Sequence, residues 1–369
     1  MKFCVNSSEL IEALAVVTKA LSSSNETPVL RGIYISAFNN ELYLKCSDSS
    51  VQIETTIPAM VDEDGAAVMP GRLMADLVRR IKSDKISFET VDEHSVRIVG
   101  GRSRSVLQFF NPETYPKMEE VRGDISFNIK QNVLRSMIKQ TVFSCGDEDA
   151  KAILRGILME FTDEGFLNLI ALDGFRLARR SEKVSVNGAK RNAVVPSKTM
   201  SDIANIISDT EDEISITLSA THITVNMGIT KIKARLIKGE YINYKNILSR
   251  KSASRILVNR SEFLESLEVL WLIAKENNNN VIRLEFDEDS MLISARSETG
   301  SINESVAVNI TGTPVEIAFN ARYFIDIVKA VDDEMIALNL NTGVTPCIIE
   351  PVNGDEYYYL VLPIRIMRN

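Results

Sequence analysis

A pattern of apolar and polar positions recurs three times along the chain. Residues 69–81, 195–207 and 319–331 read MPGRLMADLVRRI, VPSKTMSDIANII and FNARYFIDIVKAV, and they begin 126 and then 124 residues apart. Each stretch carries a basic residue, an aspartate four residues later and apolar residues at the i, i+3 spacing of a helix face. The basic residues are Arg72, Lys198 and Arg322, and the aspartates are Asp76, Asp202 and Asp326. A period this long indicates a duplicated domain, because solenoid units span only about 20–50 residues.

Each repeat divides again into two halves that open with a short strand followed by a helix. The first apolar strand residues of the six openings are Phe3, Ala67, Phe127, Ala193, Ile256 and Ile317. Serines at several helix starts are expected to cap them, namely Ser7 or Ser8, Ser197 and Ser261. Alternating apolar runs follow each helix, with hairpin turns predicted at Asn39-Asn40 and Gly100-Gly101. The sequence therefore predicts an α+β fold with antiparallel sheets, in three domains at residues 1–120, 125–246 and 250–369.

Composition narrows the class of protein. Of 369 residues, 45% are hydrophobic and 25% are charged, which is typical of a globular protein. No apolar run approaches the roughly 18 residues of a membrane span, and polar residues 6–9 stand where a signal peptide has its apolar core. We therefore expect a cytoplasmic protein with no membrane partner. A net charge of −8 argues against a surface that binds nucleic acid everywhere, but it permits one basic face.

Candidate catalytic residues are few. The two histidines, His94 and His222, lie in predicted strands, and the chain has no nucleotide-binding, nucleophile-elbow or zinc-protease motif. Four isolated cysteines and the acidic clusters at 146–150, 209–213 and 287–290 predict neither a metal site nor disulfides. Asp173 and Arg176 could orient a substrate or form a structural ion pair that closes a turn at Gly174. With no base or nucleophile beside them, we expect a protein that is not an enzyme and has no cofactor.

The size of the repeat limits how such domains could surround another molecule. One third of the chain has a diameter of about 35 Å. Three such spheres in a closed ring leave a hole of about 5 Å, whereas six leave about 35 Å, enough for a duplex roughly 20 Å wide. Closed symmetry is the usual way in which head-to-tail contacts terminate. If the repeats close around DNA, two chains are needed.

Several motifs, in order along the chain, resemble one protein family. They are LRGI at 30–33 and 154–157, ALDGFRLARR at 171–180, FNARYFIDIV at 319–328 and YYLVLPIRI at 358–366, together with the repeated helix openings. From residue 1 to about 366 the chain resembles the bacterial DNA polymerase III beta subunits, the sliding clamps. The resemblance implies three clamp domains per chain and a head-to-tail homodimer. It further implies a ring whose hole is lined by helices, with antiparallel sheets outside.

The resemblance also implies a function and a set of partners. A sliding clamp encircles double-stranded DNA regardless of sequence, is opened by an ATP-driven clamp loader and makes the replicative polymerase processive. The implied protein partners are the DNA polymerase III alpha subunit, the clamp loader, and other polymerases and repair proteins, which bind through short hydrophobic peptides. The alternative function is a cytoplasmic repeat scaffold that binds peptides and never surrounds DNA, and a hydrolase built on Asp173 and Arg176 ranks third.

Basic side chains are in excess on the predicted helices, and the resemblance places them toward DNA. The candidates are Arg72, Arg79, Arg80, Lys139, Lys198 and Arg322. Such a lining attracts phosphates without reading bases, which leaves a ring free to slide. The alternative is that these residues form ordinary solvated helix faces, but the threefold basic position favours a DNA-facing role.

The C-terminal apolar run 358–366 would form a partner-peptide groove together with the second domain, if the resemblance holds. The groove residues carried over by motif are Leu154, Leu172, Gly174, Phe175, Arg176, Leu177, Ile242, Ile247, Asn320, Tyr323, Val344, Leu360, Val361, Leu362, Pro363, Ile364 and Arg365. An apolar pocket with a few polar rim groups suits peptides that bind through anchor residues. Asp173 is expected to hold the turn instead of touching peptide. The alternative is that this run is simply the last core strand.

The dimer joint is assigned by the same resemblance. It would pair Arg102, Arg104 and Leu107 of the first domain with Leu272, Ile273, Glu298 and Glu304 of the third. Basic residues against acidic ones around an apolar centre make a plausible head-to-tail contact. A solvated hairpin strand is the alternative.

This chain departs from the family pattern at several positions. Leu172 and Phe175 replace the threonine and histidine of many relatives, which predicts a more apolar groove. The loop at 22–28 lacks an arginine that some relatives use against DNA, and Ala152-Ile153 replaces an aromatic pair. Residues 367–369 extend past the usual end and are expected to cover part of the groove.

Overall fold

The structure, a computed structural model, describes residues 1–23, 26–118, 123–248, 252–276 and 279–365. The extension 367–369, which is expected to cover part of the groove, lies outside the described residues, as does residue 366. Two compact units divide the chain. Unit 1 comprises Met1–Asn132, Val186–Ala189 and Asn205–Leu236, and unit 2 comprises Val133–Ser185, Lys190–Ala204 and Ile237–Asn369.

The strands and helices follow one another in three similar series. The first series is β1 Lys2–Asn6, α1 Ser7–Val17, β2 Gly32–Phe38, β3 Glu41–Ser47, β4 Val51–Pro58, β5 Met60–Glu63, β6 Gly65–Pro70, α2 Gly71–Arg80, β7 Lys85–Asp92, β8 Ser95–Gly100 and β9 Ser103–Gln108. The second is β10 Ile125–Lys130, α3 Gln131–Lys139, β11 Gly156–Phe161, β12 Phe166–Leu172, β13 Arg176–Lys183, β14 Val186–Gly188, β15 Ala193–Pro196, α4 Ser197–Ile206, β16 Glu213–Leu218, β17 His222–Met227 and β18 Thr230–Arg235. The third is β19 Ser254–Asn259, α5 Arg260–Ala274, β20 Val281–Phe286, β21 Ser290–Arg296, β22 Ser301–Gly312, β23 Ile317–Asn320, α6 Ala321–Ala330, β24 Met335–Leu340, β25 Cys347–Pro351 and β26 Tyr357–Val361.

All six predicted strand-to-helix openings are confirmed, at the starts of α1 to α6. The predicted serine caps are wrong for α1 and α5. Asn6 and Asn259, the last residues of the preceding strands, cap these helices, and Asn320 caps α6 in the same way. Each asparagine has extended backbone angles, so its side-chain oxygen can accept the N–H groups of the first helical turn.

The hairpin turns follow from local backbone preferences. Asn39 and Asn40 both have positive φ angles, 51° and 60°, between the paired residues Phe38 and Glu41, which confirms the predicted two-residue turn. In the second hairpin Gly100 pairs with Ser103, so the turn is 101–102 and lies one residue later than predicted.

Unit 1 contains two antiparallel sheets. One has the strand order β5-β1-β7-β8-β9, and the other has the order β14-β10-β16-β17-β18-β4-β3-β2-β6. The larger sheet continues from the first series into the second where β18 pairs with β4, with Ile232 opposite Ile53. Because every pairing is antiparallel and few helices accompany the sheets, the predicted α+β class is confirmed.

Unit 2 is built on one antiparallel sheet of twelve strands, in the order β15-β11-β12-β13-β26-β25-β24-β19-β22-β21-β20-β23. The last strand, β26, lies between β13 and β25, so it is an interior strand of the sheet. All five residues of β26 are buried and alternate between two apolar clusters. This strand therefore joins the second series to the third.

Candidate functional site

The turn between β12 and β13 is held by Asp173. Its Oδ1 accepts the backbone N–H groups of Phe175 at 2.8 Å and Arg176 at 3.0 Å. Gly174 has a φ of +97°, and a side chain there would be strained although no atom lies near the position of its Cβ. Asp173 thus acts on the turn, as the sequence predicted, and the turn projects Phe175 outward with 60% of its surface exposed.

Arg176 is the most connected side chain beside this turn. Its side chain is 10% exposed, and it donates to Asp173 Oδ2 at 3.0 Å, to Asp326 Oδ2 at 2.7 Å and to the carbonyl oxygen of Phe143 at 2.5 Å. The guanidinium also lies over the ring of Tyr323, 4.6 Å from its centroid. These contacts identify Asp173 and Arg176 as a structural ion pair, the second of the two readings that the sequence left open.

Asp326 connects this network to the exposed face of α6. Its Oδ2 accepts from Arg176, and its Oδ1 accepts from Arg322 Nε at 3.1 Å. The guanidinium of Arg322 in turn lies 5.9 Å from the ring of Trp271 on α5. One carboxylate therefore serves a buried arginine beside the candidate groove and an exposed arginine that the sequence placed toward DNA.

The aromatic side of the candidate groove is formed by Phe175 and Tyr323. Their rings are stacked with centroids 6.3 Å apart and planes inclined by 23°. The carbonyl oxygen of Phe175 accepts the N–H of Leu362 at 2.9 Å, and the N–H of Ile364 donates to Ala318 at 2.8 Å. The C-terminal segment is thus tied by its backbone to both sides of the site.

The floor beneath these residues is apolar. Leu154, Leu172, Leu177 and Leu360 are buried together in one cluster. The other predicted groove residues have exposed or half-buried side chains, namely Ile242, Ile247, Val344, Leu362, Pro363, Ile364 and Arg365. Val361 differs, because strand alternation turns its side chain into the other cluster with no exposed surface, so it contributes backbone only.

A buried carboxylate, that of Glu160 on β11, lies close to this apolar floor. Glu160 on β11 accepts from Tyr244 at 2.5 Å and from Asn168 at 3.2 Å, and Lys245 lies 2.9 Å away. Burial opposes ionisation, but these hydrogen bonds together hold the pKa of Glu160 below its usual range. Glu160 is not among the residues predicted from the sequence, although a glutamate inside the apolar run GILMEF is a signal that a partner must be present.

The predicted DNA-facing residues are all exposed. Arg72, Arg79 and Arg80 lie on α2, Lys139 ends α3, Lys198 lies on α4 and Arg322 on α6. Lys198 and Arg322 pair with the aspartate four residues later, at 2.8 Å and 3.1 Å. In α2 the aspartate Asp76 instead lies 3.7 Å from Arg79, so the repeated sequence pattern gives two different ion-pair arrangements.

The predicted dimer residues lie on accessible segments of each unit. In unit 1, Arg102 and Arg104 are exposed and Leu107 is half-buried, on the hairpin that leads into β9 at the sheet edge. In unit 2, Leu272 is exposed at the end of α5, and Ile273 lies beside Gly300. The loop 297–300 joins β21 to β22, and Glu276 holds it by accepting hydrogen bonds from Ser297 at 2.7 Å and Thr299 at 2.5 Å. These hydrogen bonds lower the pKa of Glu276. Glu298 lies in this loop, and Glu304 lies on β22.

Within the described parts of the chain, no three histidine, cysteine, aspartate or glutamate side chains gather closely enough to hold a metal ion. Nor does any helix there combine the length and the apolar surface needed to cross a membrane.

Comparisons with known proteins cover nearly the whole chain. Family models of the DNA polymerase III beta subunit match residues 1–119 as its N-terminal domain, 128–243 as its central domain and 245–365 as its C-terminal domain. The proteins named beta sliding clamp from Staphylococcus epidermidis and Staphylococcus aureus are each 29% identical over 375 residues, with 99% of both chains covered. The crystal structure of the DNA polymerase sliding clamp from Bacillus subtilis aligns over 100% of both chains with a TM-score of 0.94 and 26% identity. That of a putative DNA polymerase III beta subunit from Eubacterium rectale covers 99% of this chain and 100% of its own, with a TM-score of 0.92 and 26% identity. The chain, with its three clamp domains, belongs to the bacterial DNA polymerase III beta subunit family, the beta sliding clamps.

Proposed function

We propose that two copies of this chain close head to tail into a ring that surrounds duplex DNA. The sliding-clamp function itself rests on membership of the family, whose members are processivity factors, so the chain is not an enzyme. The proposal adds the homodimer, the encircled DNA, a clamp loader that opens the ring, and polymerase and repair partners. We place this activity in the cytoplasm.

The recurrence of an exposed basic residue at one helix position carries the DNA part of the proposal. Arg72, Lys198 and Arg322 each lie in the first turn of the helix that opens the second half of a repeat. In a protein with a net charge of −8, equivalent cations on three helices favour phosphate as their target. Because these helices present no array of side chains suited to reading bases, the contacts would not depend on sequence and would let the ring slide.

Two open strand edges support the head-to-tail dimer. Among the described residues, β9 hydrogen-bonds only to β8, and residues 301–307 of β22 hydrogen-bond only to β21. Edges of similar length can pair with each other across an interface. The Arg102 and Arg104 side of one chain would meet Glu298 and Glu304 of the other, and opposite charges would set the orientation.

The groove beside the 173–176 turn is the proposed docking place for partner peptides. Phe175, Val344 and Leu362 have exposed apolar side chains, which we assign to the rim of this groove, and the buried leucine cluster would be its floor. A short hydrophobic peptide would place its anchor residues on this floor, because an apolar pocket with a rigid rim favours such anchors. The Arg176 network makes that rim rigid before a peptide arrives.

A topological assay tests the ring. The protein is loaded by a clamp loader onto nicked circular DNA, and the DNA is then cut once. A protein held by encirclement leaves the linear DNA by sliding off its ends, whereas one held by ordinary contacts remains bound. Retention after cutting, with normal peptide binding, would support the alternative scaffold function.

A further inference from the structure

Residues 238–248 of unit 2, here called the strap, lie against the twelve-stranded sheet without pairing to it. The strap contains no strand and only one short 3₁₀ turn, Tyr244–Asn246. Among the described residues, its backbone hydrogen bonds join strap residues to one another and none joins the strap to a strand. Between residues 238 and 247 only Tyr244 is buried, with 4% of its surface exposed. Side chains must therefore hold the strap in place.

Tyr244 and Lys245 attach the strap to one carboxylate of the sheet. The ring of Tyr244 packs in the apolar cluster that includes Leu158 of β11. Its hydroxyl donates to Glu160 Oε2 at 2.5 Å, and Lys245 Nζ lies 2.9 Å from Glu160 Oε1. Because residues two apart on a strand share a face, Glu160 lies on the same face of the sheet as Leu158. Each oxygen of Glu160 thus binds a different residue of the strap.

The carboxylate of Glu160 is itself held by a row of side chains across the sheet. Glu160 pairs with Asn168 of β12, and Asn168 pairs with Ser181 of β13. Ser181 Oγ donates to Asn168 Oδ1 at 2.6 Å, and Asn168 Nδ2 donates to Glu160 Oε2 at 3.2 Å. Three donors therefore converge on Glu160, from Asn168, Tyr244 and Lys245. A glutamine at this position would leave at least one of them without an acceptor, because one of its two terminal atoms is a donor.

The backbone of Tyr244 in turn fixes two exposed isoleucines. Its N–H donates to the carbonyl oxygen of Ile242 at 2.8 Å, and its own carbonyl oxygen accepts the N–H of Ile247 at 2.9 Å. Ile242 and Ile247 are 39% and 41% exposed, and both are assigned to the proposed partner groove. The position of Tyr244 on the sheet therefore determines where these two side chains stand.

We propose that Glu160 is a positioning residue for partner binding, which holds Tyr244 and so presents Ile242 and Ile247 to a hydrophobic peptide. The inference rests on the proposed peptide groove and deepens it, because it assigns a role in binding to a carboxylate that is almost fully buried. Groups that are already ordered lose less conformational freedom when a ligand binds, so a strap held in advance increases affinity.

Tyr244→Phe tests this role with the smallest change, because it removes the hydroxyl and keeps the ring. Tyr241→Phe is the matched control. Tyr241 belongs to the same strap and packs against the same apolar cluster, but its hydroxyl donates to the carbonyl oxygen of Ile170 at 3.4 Å instead of to a carboxylate. Glu160→Gln removes the charge from the other side of the Tyr244 hydrogen bond.

The affinity for a fluorescent synthetic peptide, copied from the hydrophobic clamp-binding segment of a DNA polymerase III alpha subunit, is measured by anisotropy well below the melting temperature of every variant. Hydrogen bonds to charged groups are the stronger ones, so Tyr244→Phe and Glu160→Gln should each weaken binding about tenfold, and Tyr241→Phe less than about twofold. Unchanged affinity in the first two variants, with lowered melting temperatures, would overturn the proposal, because that is the result of a purely structural contact.

A double-mutant cycle shows whether Glu160 acts through the strap. Ile242→Ala should weaken the peptide about fivefold in the unchanged protein and less than about twofold in Glu160→Gln, where the isoleucine is no longer held in place. Leu362→Ala is the control, because the backbone of Leu362 is tied to Phe175 and not to the strap, and its effect should be the same in both backgrounds. Additive effects of Glu160→Gln and Ile242→Ala would overturn the proposal.

The cycle does not depend on one variant. If Glu160→Gln does not fold, Tyr244→Phe takes its place beside Ile242→Ala, with the same loss of coupling expected and additivity again overturning the proposal. The two levels of proposal give different results. A peptide that does not bind the unchanged protein overturns the groove and the positioning role together, whereas equal binding to the unchanged protein, Tyr244→Phe and Glu160→Gln overturns the positioning role alone.

Discussion

The shared carboxylate of Asp326 allows a quantitative test of how the candidate groove is supported. Asp326→Asn keeps the size and one acceptor oxygen of the side chain but removes its charge. Arg176 would then keep Asp173 and the Phe143 carbonyl as partners and lose its second carboxylate. The matched control is Glu268→Gln. Glu268 on α5 forms an exposed ion pair with Lys329, which lies on α6 together with Asp326, and the substitution removes the negative charge of that pair.

The expected magnitudes follow from burial. Removing one partner of a fully buried ion pair costs about 3–5 kcal/mol. The Arg176 and Asp326 side chains are 10% and 19% exposed, and Arg176 retains other partners, so we expect Asp326→Asn to lower the free energy of unfolding by about 1.5–2 kcal/mol. The Lys329–Glu268 pair is about half exposed on both sides, and such pairs contribute only about 0.2–1 kcal/mol.

Urea unfolding followed by tryptophan fluorescence measures this difference. Trp271 is the only tryptophan of the chain and lies on α5, which packs against α6, the helix that carries Asp326. Circular dichroism recorded in parallel shows whether the rest of the chain unfolds in the same transition. If Asp326→Asn is no more destabilising than Glu268→Gln, Arg176 is not held as described and the rigid rim of the groove is refuted.

Three further predictions concern the groove, the buried carboxylate and the dimer. Replacing Leu362 and Pro363 together by alanine should weaken binding of a polymerase-derived hydrophobic peptide by about tenfold in a calorimetric titration while the dimer mass stays unchanged; unchanged affinity would place the groove elsewhere. Glu160→Gln should destabilise the protein at neutral pH. Because the pKa of Glu160 is depressed in the folded state, the unchanged protein should have the higher free energy of unfolding above the ordinary glutamate pKa of about 4.3, and this difference should disappear as the pH falls below that value. A difference in free energy of unfolding that does not change with pH in urea titrations would contradict the hydrogen-bond account. Arg104→Glu should shift the dimer toward monomer in sedimentation, and Glu304→Arg in the same chain should restore it; no rescue would mean that these two residues do not meet.

Local sequence signals were sufficient for the elements of the fold. Strand-to-helix openings depend on alternation, helical spacing and turn residues, all within about ten positions, and every predicted opening is present. The helix caps were predicted one or two residues too late at α1 and two residues too late at α5, because a strand-ending asparagine and a following serine are both good caps and only the backbone angles decide between them.

Local sequence patterns did not predict the contacts between residues that lie far apart along the chain. The aspartate that follows Arg322 looked like the two other aspartates of the repeat, yet Asp326 alone reaches an arginine 150 residues away. Likewise, Val361 was grouped with its neighbours in the groove, but β26 is buried on both faces, so alternate residues belong to different clusters. The sequence placed the groove residues near one another and could not divide them into rim, floor and core.

The mass of the protein in solution tests the central claim most directly, because a ring wide enough for DNA needs the domains of two chains. Native mass spectrometry and sedimentation at micromolar concentration should both give twice the 41.2 kDa chain mass. A compact species of a single chain mass at these concentrations, with no larger species on adding DNA, would contradict the account.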